Sequence, residues 1–222
     1  MRRAVPATPT AVPAAVGGIR ALAAPLACTV LALVVRPVYL VESAANPFRS
    51  FIGLDMTGYH RWAVSVLRGH GLGEMPFTQA PFYPLVLAVT YLFTGQEWFR
   101  GVWGNLLPST AAVFFVADAA RRWRGPAAAW GAGILFALYK PAIFYTGVLL
   151  PPSWVFLLSA LCLWYSVLVV LADGRPGKRL LAGAGISAGF LSLAQPVAVF
   201  GLLPLLMHLW RRDRKGGGTK PL

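Results

Sequence analysis

Between Arg20 and Arg36 the chain reads ALAAPLACTVLALVV, and comparable apolar stretches recur along it, each fenced by arginines and lysines. In hydrocarbon the backbone must satisfy its own polar groups, which favours helices for stretches of this kind. A helical crossing takes about 20 residues at 1.5 Å each to traverse about 30 Å. The pattern therefore predicts an all-α, polytopic helical membrane protein. Composition agrees: 57% of the 222 residues are hydrophobic and 12% charged, against about 25% charged in a soluble domain. Mean hydropathy is +0.64.

The formal charge of +13 would point to nucleic acid in a soluble protein. Here the positions of the cations argue otherwise. Arg2, Arg3 and Arg20 precede the first apolar run. Arg121, Arg122 and Arg124 form a second group, Arg175, Lys178 and Arg179 a third, and Arg211, Arg212, Arg214 and Lys215 a fourth. Each borders a stretch of spanning length, as cytoplasmic loops do. The expected partner is membrane lipid, not nucleic acid.

Cys28 and Cys162 lie inside apolar runs, with neither the number nor the spacing of a disulfide framework or zinc site. No metal is predicted, and no dinucleotide or phosphate-loop motif signals a cofactor. The Pro- and Ala-rich residues 1–18 read as a disordered cytoplasmic amino terminus. With the run after Arg20 they resemble a secretory signal, but the length of that run favours an uncleaved first crossing.

Counting crossings with the charge rule gives 19–41 outward, 100–120 inward, 126–145 outward and 152–172 inward. Residues 180–210 read as two crossings meeting at a kink, because Pro196 breaks the helix. That makes about six transmembrane helices in a domain covering 19–212, both termini cytoplasmic, with a flexible basic tail at 213–222. Residues 42–99 form a long external loop. Within it, 55–69 has helical spacing, with Tyr59, Ala63, Val66 and Leu67 on one face and His60, Arg61, Ser65 and Arg68 away from it. This suits a helix lying at the membrane interface. Residues 81–94 are apolar but too short to cross, and read as a second interfacial or re-entrant helix.

The chain has 7 acidic residues. Asp173 and Asp213 fall in basic loops, and Asp118 is spaced to pair with Arg121 and Arg122 on its own helix. Glu42, Asp55, Glu74 and Glu97 fall on the external side. Glu42 and Glu97 suit helix ends and Glu74 suits a surface loop. Asp55 has two readings: the N-cap of the helix that follows it, or a base at a membrane surface supplied with cations by Arg49, Arg61, Arg68 and Arg100.

The order of several short motifs resembles a known family. Arg36 is followed by Asp55, Tyr59, Trp62-Ala63, Gly69, Phe77 and the segment Pro81-Phe82-Tyr83-Pro84. Further on come NLLPSTAAVFFVADAARRWRGPAAAWGAGILFALYKPAIFYTGVLL and RLLAGAGISAGFLSLAQPVAVFGLLPLLMHLWRR. Residues 20–212 resemble the amino-terminal portion of the GT-C membrane glycosyltransferases, the superfamily of protein O-mannosyltransferases and aminoarabinose transferases. The resemblance implies a sugar donor on polyprenyl phosphate and Asp55 as catalytic base, with inversion at the sugar. It implies substrate contacts from Tyr59, His60, Arg61, Gln79, Arg100 and Lys140. Gln79-Ala80 and Gln195 stand where such enzymes often carry cations. The enzymes usually have more spans, so a second polypeptide completing the enzyme is an expected partner. Ala, Gly, Arg and Pro content fits a bacterial plasma membrane.

The alternative is a non-catalytic membrane assembly or binding subunit, or a small transporter. A transporter should carry paired broken helices and intramembrane ionisable groups. The kink at Pro196 has no obvious earlier counterpart in the sequence.

Overall fold

The computed structural model describes residues 19–47, 52–71, 79–172 and 176–204, together with 207 and 211. Residues 1–18, Arg49, Glu74, Phe77, Asp173, Arg175, His208 and the tail at 213–222 lie outside the described residues. Among those described, all regular structure is helical: α1 (Ala23–Ser43), α2 (Leu54–Leu67), α3 (Phe82–Thr94), α4 (Trp98–Gly101), α5 (Leu106–Arg124), α6 (Pro126–Ala137), α7 (Lys140–Thr146), α8 (Pro152–Leu171) and α9 (Lys178–Ala194). Short 3-10 turns precede α1 and α5, and another runs over Pro196–Leu202 after α9.

α5 is the central helix, packing on α1, α6 and α8, with α9 against α8. Cys28, Ala32, Val113 and Ala137 meet in one apolar cluster. Arg36 further along α1 reaches Ser109 and the Ala137 carbonyl, so α1 runs antiparallel to α5. α6 turns back from α5 at Gly125, whose φ of 87° is one that glycine adopts without steric cost. Trp164 of α8 donates to Asp118, and Ser153 at the start of α8 donates to the Tyr145 carbonyl. These pairings gather Arg20, Arg121, Arg122, Arg124, Lys178 and Arg179 at one end of the bundle. α2 and α3 pack at the opposite end, where Leu40, Tyr59, Tyr83, Leu87, Val102 and Leu149 form a shared core.

Among the described residues, three stretches are long and apolar enough to cross a membrane: Arg20–Ser43, Trp98–Arg124 and Pro152–Leu171. α6 and α7 would supply a fourth if they are counted as one broken span. The sixfold crossing expected from sequence exceeds this number. Its last member rests partly on residues 205–206 and 208–210, outside the described residues. The side chains turned outward are those hydrocarbon would accept, among them Val30, Leu33, Val34, Val38, Val89, Leu92, Phe93 and Leu135.

The segment 126–145, expected as one crossing, is instead broken: α6 and α7 meet at 50°. Pro141 lacks the N–H that would bond the Ala137 carbonyl four residues earlier, so the helix cannot continue through it. Arg36 supplies the missing donor, with Nη1 3.4 Å from that carbonyl. The kink expected at Pro196 is present: α9 ends at Ala194, and Gln195 is extended at φ −154°, ψ 92°, as a residue before proline tends to be.

Candidate functional site

Asp55 lies in the first turn of α2 and is exposed. It is not the N-cap. Gly53 takes that position in extended conformation, and no side chain caps the helix. The cap reading is therefore corrected, and the carboxylate is free to face outward. Thr57 anchors the start of the helix by donating to the carbonyls of Ile52 (3.3 Å) and Gly53 (3.1 Å). Acids in a first helical turn are favoured by the unpaired N–H groups there.

Gln79 comes from the segment entering α3 and donates from Nε2 to Asp55 Oδ1 at 3.0 Å. It crosses α2 above Gly58. A Cβ at that position would sit 2.7 Å from Gln79 Oε1, closer than nonbonded atoms tolerate. Gly58 therefore permits the approach that pairs Asp55 with Gln79.

The opposite face of α2 is locked into the core. Tyr59 is buried and meets Tyr83 edge to face at 5.1 Å. Tyr83 Oη donates to Asn105 Oδ1 at 3.3 Å, and Asn105 Nδ2 donates to the Val148 carbonyl at 2.8 Å. Burial, and secondarily the charge of Asp55, push the Tyr59 hydroxyl above its ordinary pKa. Burial does the same to Tyr83 despite its bond to Asn105, so both rings remain neutral phenols. The chain of contacts ties the Asp55 shelf to the segment between α7 and α8.

His60 was expected to point away from the apolar face. It instead turns toward α3, with Nδ1 2.7 Å from Tyr91 Oη. Burial lowers its pKa and raises that of Tyr91, so a neutral imidazole faces a protonated phenol. His60, Arg61, Val64, Ser65, Arg68 and His70 together line a hollow of about 280 Å³, beside the Asp55 shelf and rich in cations.

Of the residues singled out in the sequence, Asp55 and Gln79 pair over the start of α2 and His60 and Arg61 line the hollow further along it, whereas Tyr59 turns away from both into the core. Arg100 and Lys140 do not join them. Arg100 is exposed on α4, 4.0 Å from Glu97 and 3.4 Å from the Thr94 carbonyl, over the Phe99 ring. Lys140 opens α7, exposed beside a separate hollow with Tyr139 and Pro141. Neither lines the hollow of His60 and Arg61. No group of three or more His, Cys, Asp or Glu side chains suited to a metal occurs among the described residues.

Tyr83, Tyr91 and Asn105 were missed as supports of the site. Tyr83 stood within the Pro81–Pro84 motif without a role of its own, and for Tyr91 and Asn105 the signal is a hydroxyl or amide set among apolar neighbours, which does not name its partner. No family model, curated protein or solved structure matches this chain.

Proposed function

We propose that the chain is a membrane glycosyltransferase of GT-C type, or the amino-terminal half of one. It transfers a sugar from polyprenyl phosphate to an acceptor hydroxyl outside a bacterial plasma membrane. The basic end of the bundle faces the cytoplasm, residues 180–210 complete six crossings, and the α2–α3 shelf lies at the external interface. The observation that carries this reading is the Asp55–Gln79 pair: an exposed carboxylate at a fixed position on a shelf beside a cation-lined hollow.

In the reaction Asp55 takes the proton of the acceptor hydroxyl. That oxygen attacks the anomeric carbon, and the bond to the phosphate oxygen breaks with its electron pair leaving on the lipid phosphate. The configuration inverts. Arg61 and the His60 ring stand at the hollow where the phosphate charge would be received. A positioned base contributes about 10²–10⁴-fold, so charge stabilisation and alignment must supply the remainder.

The test is purified chain reconstituted with polyprenyl phosphates carrying different labelled sugars. Wild type is expected to release sugar, and Asp55→Asn to lose that release by roughly 10²-fold or more while inserting normally. Equal release by both removes Asp55 from the chemistry. Absence of release from wild type, alone and with candidate second polypeptides, sinks the reading.

One observation favours a second reading, a small transporter. The α6–α7 break gives the Pro196 kink the earlier counterpart that the sequence did not reveal, and the ionisable Arg36 lies buried beside it. Substrate-dependent flux through proteoliposomes, unaffected by Asp55→Asn, would establish it.

A further inference from the structure

A cavity larger than the hollow on α2 lies at the other end of the molecule from Asp55. It is a groove of about 730 Å³ between the second half of α5, the first half of α6, α8 and the turn after α9. Its floor and walls are almost entirely apolar, with Ala128, Ala132, Cys162 and Leu163 among them. The hydroxyl of Ser166 is already bonded to the Cys162 carbonyl of its own helix at 2.6 Å. Ser159 supplies the other hydroxyl of a lining that is otherwise apolar away from its rim.

Its rim is different. Trp123 and Arg124 close the end nearest the basic turn. Three arginines crowd this turn, and Asp118 takes two of them: Arg121 Nη2 lies 2.7 Å from Oδ1, and Arg122 Nε bonds Oδ2. Arg124 has no acidic partner among the described residues. An indole beside an unpaired guanidinium at the end of a spanning helix matches the chemistry of the headgroup layer.

At about 730 Å³ the groove falls within the range of about 300–1,000 Å³ usual for small-ligand pockets. An apolar lining that ends at an indole and a guanidinium suits a flexible hydrocarbon chain carrying an anionic headgroup, and each buried methylene favours its entry.

We infer that this groove binds one acyl chain of an anionic phospholipid, whose phosphate is held by Arg124 at the basic end of the bundle. The site is distinct from the Asp55 shelf and does not depend on the chain being a transferase.

Native mass spectrometry of the full chain, titrated with phosphatidylglycerol and phosphatidylcholine in mild detergent, tests it. Wild type should hold phosphatidylglycerol roughly tenfold more tightly, as one charge-assisted contact implies. Arg124→Gln should bring the two lipids to parity while leaving chain binding intact. Ala132→Phe fills the groove and should abolish both. Equal affinity of wild type for the two lipids, or a preference that survives Arg124→Gln, overturns the inference. So does unchanged lipid binding by a folded Ala132→Phe chain, or an absence of bound lipid because another part of the chain fills the groove. Should Ala132→Phe fail to fold, Arg124→Gln, at an exposed position, still decides the matter.

Discussion

At the residue scale, the arrangement around Asp55 depends on a side chain that is absent. Gly58 leaves room for Gln79 to cross α2, and only from there does Gln79 reach the carboxylate. Gly58→Ala should push Gln79 aside, and Gln79→Ala should release the same contact without disturbing the helix. One net hydrogen bond contributes about 0.5–1.5 kcal/mol, so either variant should lower turnover by up to about tenfold, with insertion unchanged. Sugar-release kinetics on the two variants would check this, and a far larger loss in Gln79→Ala would mean that Gln79 touches substrate directly. Both partners were legible as separate candidates in the sequence. Their pairing was not, because 24 residues separate them and helical periodicity says nothing about which loop will fold over which turn.

At the scale of elements, α2 and α3 were visible as apolar-periodic segments too short to cross, and the structure has them so. The break between α6 and α7 was not foreseen, although Pro141 was in view, because the apolar run continues through it. A run of hydrophobic residues reports the solvent around a segment but not its straightness. Arg36 was similarly opaque. Its partners Ser109 and Ala137 sit on other helices, and one of its nitrogens, Nη2, is buried without any. Arg36→Lys keeps the charge but loses the fork that holds both partners at once. It should cost about 1.5–3 kcal/mol, the worth of one charge-assisted bond, measurable by unfolding in detergent. No loss of stability would mean the α6–α7 bend holds without the fork.

The α2–α3 contact carries its own pH dependence. His60 is held below its ordinary pKa of about 6.5 by burial, so the folded chain keeps it neutral where the unfolded chain takes up a proton. The unfolded state then binds more protons, and stability rises with pH across that interval. The contribution is complete above about pH 6.5 and is lost as pH falls toward the lowered value. Arg61, Arg68 and His70 line the same hollow, and no carboxylate does among the described residues. Hydrogen exchange of α2 amides should therefore quicken on acidification from about pH 7.5 to about pH 5.5, after correction for intrinsic rates. His60→Gln, whose amide can still share a hydrogen bond with Tyr91, should flatten the response. An identical response in that variant would assign it to another group.

For the whole molecule, the helix packing sorts the charges: Arg20, Arg121, Arg122, Arg124, Lys178 and Arg179 share one end, and the Asp55 shelf occupies the other. The proposed topology, drawn from the charge rule, puts the first end in the cytoplasm. In a chain with Cys28 and Cys162 replaced, Ser65→Cys on α2 should react with a membrane-impermeant maleimide added to intact spheroplasts. Arg124→Cys should react only after permeabilisation. The reverse pattern would invert the topology and place Asp55 in the cytoplasm. The class of the protein and the ends of its helices were legible because hydrophobic runs and charge clusters are local. The order in which helices pack was not, since it rests on contacts such as Trp164 with Asp118, 46 residues apart.

The bond from Arg36 to the broken helix also bears on the order of synthesis. Ser109 follows Arg36 by 73 residues and Ala137 by 101. In the proposed membrane topology α1 therefore reaches the bilayer carrying a cation whose acceptors on α5 and α6 have not yet been made. An unpaired arginine there costs about 2.5–3.5 kcal/mol on insertion, a sum that the apolar residues around it must outweigh until α5 and α6 arrive. Before then α1 is a helix without its final neighbours. Once the Ala137 carbonyl is in place, it receives a donor from Arg36 Nη1, and α1 is tied to a part of the chain made about a hundred residues later.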